Sequence, residues 1–100
     1  MKKTIIALSL ILAAPAALSH TALLSCFDEG HGTITCAGGF SDGSSASGVN
    51  FYVEQEGNKV LEQKFSELNE VNFDKPTGDY IAVLDAGEGH QVKIKGSDIN

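Results

Sequence analysis

Basic residues are scarce in this chain, and long apolar runs are absent beyond its first 20 positions. The 100 residues include seven lysines or arginines against 13 aspartates and glutamates, which gives a net charge of −6. Proteins that bind nucleic acid need a basic face, so this charge balance excludes that function class. The later apolar stretches are too short for a transmembrane helix, so we expect no membrane insertion by residues 20–100.

Catalytic motifs are also missing from the sequence. It contains no G-x-S-x-G nucleophile elbow, no H-E-x-x-H zinc motif and no phosphate-binding glycine loop. Nothing in it supplies a nucleophile together with a positioned base, so we predict that the protein is not an enzyme. The chain also shows no internal repeat and no linker, so we expect a single domain.

The N-terminal segment has the features of an export signal. Two lysines at positions 2 and 3 provide a positive start, and residues 4–14 form an apolar run that is too short to span a bilayer. Small residues follow, and residues 17–19 (ALS) have the small-x-small form that leader peptidases recognise. This order of features predicts that the chain is exported to the periplasm and then cleaved.

Cleavage after residue 19 defines two parts of the chain. We predict a signal peptide over residues 1–19 and a mature domain over residues 20–100 that begins at His20; cuts after Ala16 or Ala22 are alternatives. Removal of the leader leaves five lysines against 13 acidic residues, a net charge of −8. Such a charge suits solubility and the attraction of cations.

A second interpretation of this region is a lipoprotein signal. Residues 23–26 (LLSC) resemble a bacterial lipobox, which would place a lipid-modified Cys26 at the mature N-terminus. His20 and Thr21 would then interrupt the part of the signal that should be most apolar. Cys36 would also remain as a single thiol in an oxidising compartment. We therefore favour the form without lipid.

Turn residues divide the mature chain into about seven short β-prone segments. Residues 49–54 alternate apolar and polar side chains, and residues 80–85 are apolar nearly throughout, as expected for a strand buried on both sides. Residues 61–68 also show helical spacing of apolar side chains, but we predict a strand followed by a loop there. The glycine- and serine-rich residues 38–48 are expected to form a loop. The predicted strands cover residues 23–27, 33–37, 49–54, 59–65, 71–73, 80–85 and 92–94.

This pattern predicts an all-β fold, a small antiparallel β-sandwich of the immunoglobulin-like class. Its first two strands flank a turn centred on residue 31, and Cys26 and Cys36 lie at equal distances from that centre. Opposed cysteines on paired strands lie near bridging distance, so we predict a Cys26–Cys36 disulfide. The alternative, that the two thiolates bind a metal, is weak because the chain has no C-x-x-C element.

Several segments of the mature chain follow, in order, the pattern of a known domain family. They are residues 42–49 (DGSSASGV), 57–61 (GNKVL), 71–73 (VNF) and 76–80 (PTGDY). The pattern resembles transthyretin-like, carboxypeptidase-regulatory-like domains, which implies a transthyretin-like sandwich. Residues 85–90 (DAGEGH) are similar to part of the periplasmic domains that accompany bacterial nickel and cobalt uptake systems. This resemblance implies metal binding as an accessory to a membrane transporter, because the chain lacks a transporter's own membrane segments.

Two histidines, His20 and His90, are the predicted metal ligands. A mature chain that begins at His20 offers an imidazole and a free α-amine, which loses its proton near neutral pH. Asp85 and Glu88 lie close to His90 in a glycine-rich loop, and carboxylate beside imidazole suits a divalent ion, although the spacing fits no closed zinc pattern. Nitrogen ligands suit nickel, copper, cobalt or zinc, and copper is favoured by intrinsic affinity. The alternative is that His20 and His90 are solvated residues of a chain end and a loop.

The third histidine, His31, is expected to be an exposed turn residue. At ~3.3 Å per residue along a strand, it lies too far from His20 to share one ion. Our leading hypothesis is therefore a periplasmic accessory protein that binds nickel, cobalt or copper through His20 and His90, helped by Asp85 or Glu88. The alternative is a non-metal interaction module that docks onto another envelope protein through an edge strand.

Overall fold

The computed structural model describes residues 21–100, which form seven strands and one short 3-10 turn. The predicted signal peptide and His20 lie outside these residues. No helix within residues 21–100 has the length and apolar character needed to cross a bilayer. The strands are β1 (Ala22–Asp28), β2 (Thr33–Phe40), β3 (Asn50–Gln55), β4 (Asn58–Lys64), β5 (Glu70–Asp74), β6 (Ile81–Asp85) and β7 (Gln91–Lys95), and the 3-10 turn is Gly96–Asp98.

The strands form two antiparallel sheets that pack face to face. Sheet A has the order β1-β2-β5, and sheet B has the order β4-β3-β6-β7. Strand β1 packs against β7 of the opposite sheet, and Gln63 of β4 donates a 2.8 Å hydrogen bond to the carbonyl of Asn72 in β5. The predicted small all-β sandwich is therefore confirmed, and its fourth strand pairs with the third.

Alternating side chains place the core between the sheets. Phe51 and Val53 of β3 point inward and are at most 1% exposed, as the alternation in residues 49–54 predicted. Strand β6 is buried on both sides: Val83 points away from the core and is still 0% exposed. The aromatic rings form a continuous series, with centroid separations of 5.7, 5.5 and 6.2 Å along Phe65, Phe51, Phe73 and Tyr80.

The first hairpin carries the predicted disulfide. Cys26 and Cys36 are direct partners in the β1–β2 register, with Cα atoms 4.0 Å apart, and their sulfur atoms are bonded. This short Cα separation is typical of a non-hydrogen-bonded pair in an antiparallel ladder, where side chains approach each other closely. The bridge is confirmed, and Cys36 is fully buried against the core.

One predicted loop is shorter than expected, and one strand assignment is confirmed. Residues 38–48 were expected to be a loop, but β2 continues to Phe40 because Gly38 and Gly39 pair with β1. Only 41–49 connects β2 to β3. Strand β4 ends at Lys64 and is followed by a connection over 65–69, so the strand interpretation of residues 61–68 is confirmed and helix is excluded there.

Candidate functional site

The connections of the sandwich gather at two opposite ends. At one end, which we call the His90 end, Ala22 pairs with Phe40 in sheet A and Asn50 pairs with Asp85 in sheet B. At the other, the His31 end, lies the turn of the first hairpin. The His90 end includes the loops 41–49 and 86–90, and it contains the three predicted metal ligands that the structure describes.

The loop that follows β6 is a compact turn. The amide of Ala86 donates a hydrogen bond to the carbonyl of His90 at 3.0 Å. The amide of His90 donates another to the carbonyl of Gly87 at 2.9 Å. Gly87 has a φ of +113°, which a residue with a side chain rarely adopts. The two-glycine sequence therefore folds the loop tightly, as expected, and holds His90 beside the end of β6.

Asp85 and His90 face different parts of the surface. The carboxylate of Asp85 accepts a 3.0 Å hydrogen bond from the amide of Gly87 and borders a depression on the outer face of sheet B beside Tyr52. Burial raises the pKa of Tyr52, and the charges of Glu54 and Asp85 add to that effect. His90 instead lines a shallow hollow of ≈ 240 Å³. The other residues that line this hollow are Phe40, Ser44 and Ala86.

The predicted ligands do not form a complete metal site by themselves. Within the part of the chain that the structure describes, no group of three or more histidine, cysteine, aspartate or glutamate side chains is placed to hold an ion. Glu88 and His90 are both exposed, and Asp85 is turned toward the other face. The remaining predicted ligand, His20, precedes the described residues.

Thr21, the first described residue, is fixed at the His90 end. Its amide donates a 3.0 Å hydrogen bond to Oγ of Ser41, and its carbonyl accepts a 2.8 Å hydrogen bond from the amide of Ser41. Ser41 directly follows Phe40, which lines the same hollow as His90. The chain therefore enters the sandwich at the end that carries His90.

Two residues that sequence reasoning passed over position this end. Ser41 anchors Thr21. This contact could have been found from the sequence, because a hairpin centred on residue 31 places position 41 opposite position 21. Asn69 holds the loop 41–49 in place: its Oδ1 accepts hydrogen bonds from Oγ of Ser45 at 2.6 Å and from the amide of Ala46 at 2.9 Å. Nothing in the linear sequence marks Asn69, since its partners lie more than 20 positions away.

His31 is an exposed turn residue, as predicted; it lies at the opposite end of the sandwich and belongs to a separate polar cluster. Its Nδ1 lies 3.2 Å from the carbonyl of Glu29. Next to it, Asp28 accepts a 2.9 Å ion-paired hydrogen bond from Lys75 and a 2.8 Å hydrogen bond from the amide of Gly30. The hydrogen bond from Lys75 and that from Gly30 lower the pKa of Asp28, and the same pairing raises the pKa of Lys75.

Comparison with known proteins adds no assignment. No protein-family model matches the chain, and no curated protein or solved structure matches it significantly. The resemblance to transthyretin-like and nickel-associated domains therefore remains a prediction, and a functional proposal depends on the residues themselves.

Proposed function

We propose that the mature protein binds a divalent transition metal ion, nickel, cobalt or copper, in the periplasm and serves its uptake or handling. The observation that supports this proposal best is the anchoring of Thr21 to Ser41 beside the hollow that His90 lines. Thr21, the residue to which position 20 is covalently joined, lies at the same end of the sandwich as His90. His31 lies at the other end.

The proposed ligands are nitrogen atoms. A chain cleaved after Ser19 presents the α-amine and the imidazole of His20, and His90 adds a second imidazole. An α-amine has a pKa of about 7.7–8.0, so it competes with protons near neutral pH and metal binding releases protons. Glu88 is exposed on the same loop and supplies a carboxylate, whereas Asp85 would first have to give up its hydrogen bond to Gly87. Such a nitrogen-rich set favours copper and nickel by intrinsic affinity.

The compartment is inferred from the leader and from the disulfide. Disulfides persist in oxidising environments such as the bacterial periplasm. Lipid attachment at Cys26 would use the sulfur that is bonded to Cys36 and would remove Ala22–Ser25 from β1. The disulfide therefore supports cleavage ahead of β1. A net charge of −8 would draw cations toward the mature protein without selecting among them.

The test begins with the mass and N-terminal residue of the mature protein, followed by calorimetric titration with nickel and copper ions. We expect one ion per chain when the chain begins at His20. His90→Ala should weaken binding at least tenfold, which corresponds to about 1.4 kcal/mol. His31→Ala is the matched control, because it removes the same side chain from the opposite end and should leave affinity unchanged.

A second pair of variants tests the role of the α-amine. His20→Ala should lose the imidazole, and a chain with one extra glycine before His20 should keep the imidazole while moving the free amine away. Both should bind more weakly than the mature chain. Equal affinity in the mature chain and in the His90→Ala, His20→Ala and glycine-extended variants would place the site elsewhere. Absence of binding in the mature chain would reject the metal function.

The alternative function, an interaction module of the bacterial envelope, is favoured by one specific observation. Leu23 and Phe27 lie on edge strand β1 with 50% and 46% of their surfaces exposed. An exposed apolar edge strand is a common site of strand addition by a partner. This alternative takes precedence if the titrations above detect no metal.

A further inference from the structure

The four edge strands of the sandwich differ in how they are protected against pairing. Charged side chains on an edge strand prevent it from adding another strand, and lysine is the usual choice. Strands β4, β5 and β7 all carry such charges. Strand β1 carries none over residues 22–27, and only its last residue, Asp28, is charged. The charged residues of the other edges are Lys59, Glu62 and Lys64 in β4, Glu70 and Asp74 in β5, and Lys93 and Lys95 in β7.

The alternation of hydrogen bonds between β1 and β2 shows which backbone groups of β1 are available to pair with another strand. The carbonyl of Thr21 accepts a hydrogen bond from the amide of Ser41, and the amide of Thr21 donates to Oγ of Ser41, so both backbone groups of Thr21 face the strand that pairs with β1. Because hydrogen-bonded and non-hydrogen-bonded pairs alternate in an antiparallel ladder, the amides and carbonyls of Leu24 and Cys26 point away from β2. The amide of Asp28 also points away from β2, and it donates to the carbonyl of Asn100 at 2.9 Å. Asn100 therefore covers the Asp28 end of this edge. Within residues 21–100, β7 of the other sheet runs beside β1, but no backbone hydrogen bond reaches the outward groups of Leu24 and Cys26.

The outward side chains of residues 23–27 are apolar at both ends and small in the middle. Leu23 and Phe27 are about half exposed, and Ser25 lies between them. Gly39 and Ala37 of β2 lie beside Leu23 and Ser25 on the same face, and the surface at these residues is a shallow apolar groove of ≈ 300 Å³. A strand laid along this edge would meet hydrogen-bonding groups and apolar side chains with no charge opposing it.

We propose that this edge pairs with the same edge of a second copy of the chain, so that two copies of sheet A form one six-stranded sheet. The pairing is antiparallel about a two-fold axis at Ser25. In this register Leu24 and the partner's Cys26 exchange backbone hydrogen bonds, and Leu23 lies directly opposite the partner's Phe27. An aliphatic side chain opposite an aromatic one is a stabilising cross-strand pair, and the interface is isologous, as in most dimers.

The sequence of β1 selects this register over its neighbours. Sliding the partner strand by two residues in one direction would place Leu23 opposite the partner's Ser25. Sliding it by two residues in the other direction would place Phe27 opposite the partner's Ser25. Either shift breaks both Leu–Phe pairs of the two-fold arrangement. The self-complementary spacing of Leu23 and Phe27 about Ser25 therefore favours a second copy as the occupant over an unrelated strand.

Charge determines how the dimer responds to salt. Each mature chain carries −8, so two copies repel each other at long range, whereas the interface itself has no charge within residues 22–27. Salt screens this repulsion over a Debye length of about 10 Å at 0.1 M. The dimer should therefore become tighter as salt concentration rises, opposite to an interface held by ion pairs.

Sedimentation equilibrium of the mature, disulfide-bonded chain tests the proposal over about 1 μM to about 1 mM, with a chelator present to exclude metal bridging. We expect a monomer–dimer equilibrium. Ser25→Asp and Ser25→Lys each place like charges directly opposite each other at the two-fold axis, so each should weaken the dimer at least tenfold. An equimolar mixture of the two variants should form a heterodimer at least as tight as the wild-type dimer. Val60→Asp is the matched control, since Val60 is an exposed apolar residue of another edge strand, and it should have no effect.

Three results would overturn the proposal. The wild-type chain could remain monomeric at every concentration, which would leave the edge for a strand of another protein. A dimer could form that is insensitive to both Ser25 variants, which would place the interface elsewhere. The mixture of charged variants could fail to associate, which would exclude the two-fold register. None of these results depends on metal binding.

Discussion

The ring of Phe65 packs directly on the backbone of Gly38. A methyl group added at Gly38 would lie 2.9 Å from Cε1 of Phe65 and 3.0 Å from Cδ1 of Leu84, closer than carbon atoms normally approach. Both of these side chains belong to the core. Glycine at position 38 thus allows β2 to run past Phe65 while its amide donates to the carbonyl of Asn69 at 2.9 Å.

Gly38→Ala should therefore lower the free energy of unfolding by about 1–3 kcal/mol, the usual result of overpacking a core. Gly39→Ala is the matched control, because it is the next residue of the same strand and a methyl group there meets nothing within 4 Å. Urea unfolding of both variants gives the comparison. Similar losses in the two variants would show that the backbone of β2, and not contact with Phe65, requires glycine.

Removal of the disulfide should destabilise the sandwich without changing its fold. The bridge closes a loop with a sequence separation of 10 residues, and constraint of such a loop in the unfolded chain is worth about 2–3 kcal/mol. The Cys26→Ala, Cys36→Ala double variant should melt roughly 10–20 °C below the wild type, since each kcal/mol shifts Tm by about 4–8 °C in a domain of this size. Alkylation of thiols in the native wild-type protein, without reductant, would contradict the bridge.

Acid should weaken the His31 end through Asp28. Its pKa lies below the ordinary value of 3.8 in the folded protein because Lys75 and the amide of Gly30 donate to its carboxylate. A lowered pKa contributes stability that is present above 3.8 and is lost as the pH falls through the folded-state value. The urea midpoint of Asp28→Asn should consequently fall less than that of the wild type between about pH 5 and pH 2. Asp74→Asn is the matched control, because it also removes one carboxylate but from an exposed residue of β5 outside this ion pair.

The hydroxyl of Tyr80 should be dispensable. It is buried and has no hydrogen-bond partner among residues 21–100, and burial raises its pKa. A buried polar group without a partner costs about 1–3 kcal/mol. Tyr80→Phe removes that group and keeps the ring that packs against Phe73, so its unfolding free energy should equal or exceed that of the wild type. A loss of more than about 1 kcal/mol would mean that the hydroxyl is satisfied by bound water.

Local chemistry accounts for most of what the sequence could predict about the fold. The alternation in residues 49–54 and the symmetric hairpin about residue 31 depend on neighbouring residues, and both are confirmed, with strand ends shifted by a few positions. The extension of β2 through Gly38 and Gly39 was missed. Glycine is usually a turn residue, and its role here follows from Phe65, which lies 27 positions later and contacts it only in the folded protein.

The candidate site was less predictable than the fold. Because Asp85 and His90 are five residues apart, we expected them to act together, and both do lie at the same end of the sandwich. Strand alternation, however, turns Asp85 to the outer face of sheet B, so the two side chains do not converge. Conversely, the approach of Thr21 to the His90 end depends on the register of β1 with β2 and on the packing of the two sheets, which a single sequence motif does not encode.

The aromatic series in the core has a practical consequence for spectroscopy. The chain has no tryptophan and two tyrosines, so its intrinsic fluorescence comes from Tyr52 and Tyr80. Tyr80 emits from between the sheets, while Tyr52 lies on the outer face of sheet B under the ammonium group of Lys59, 4.4 Å from the ring centroid. Each tyrosine-to-phenylalanine variant therefore isolates one emitter, so that loosening of the interior and rearrangement of the surface layer can be followed separately in the same molecule.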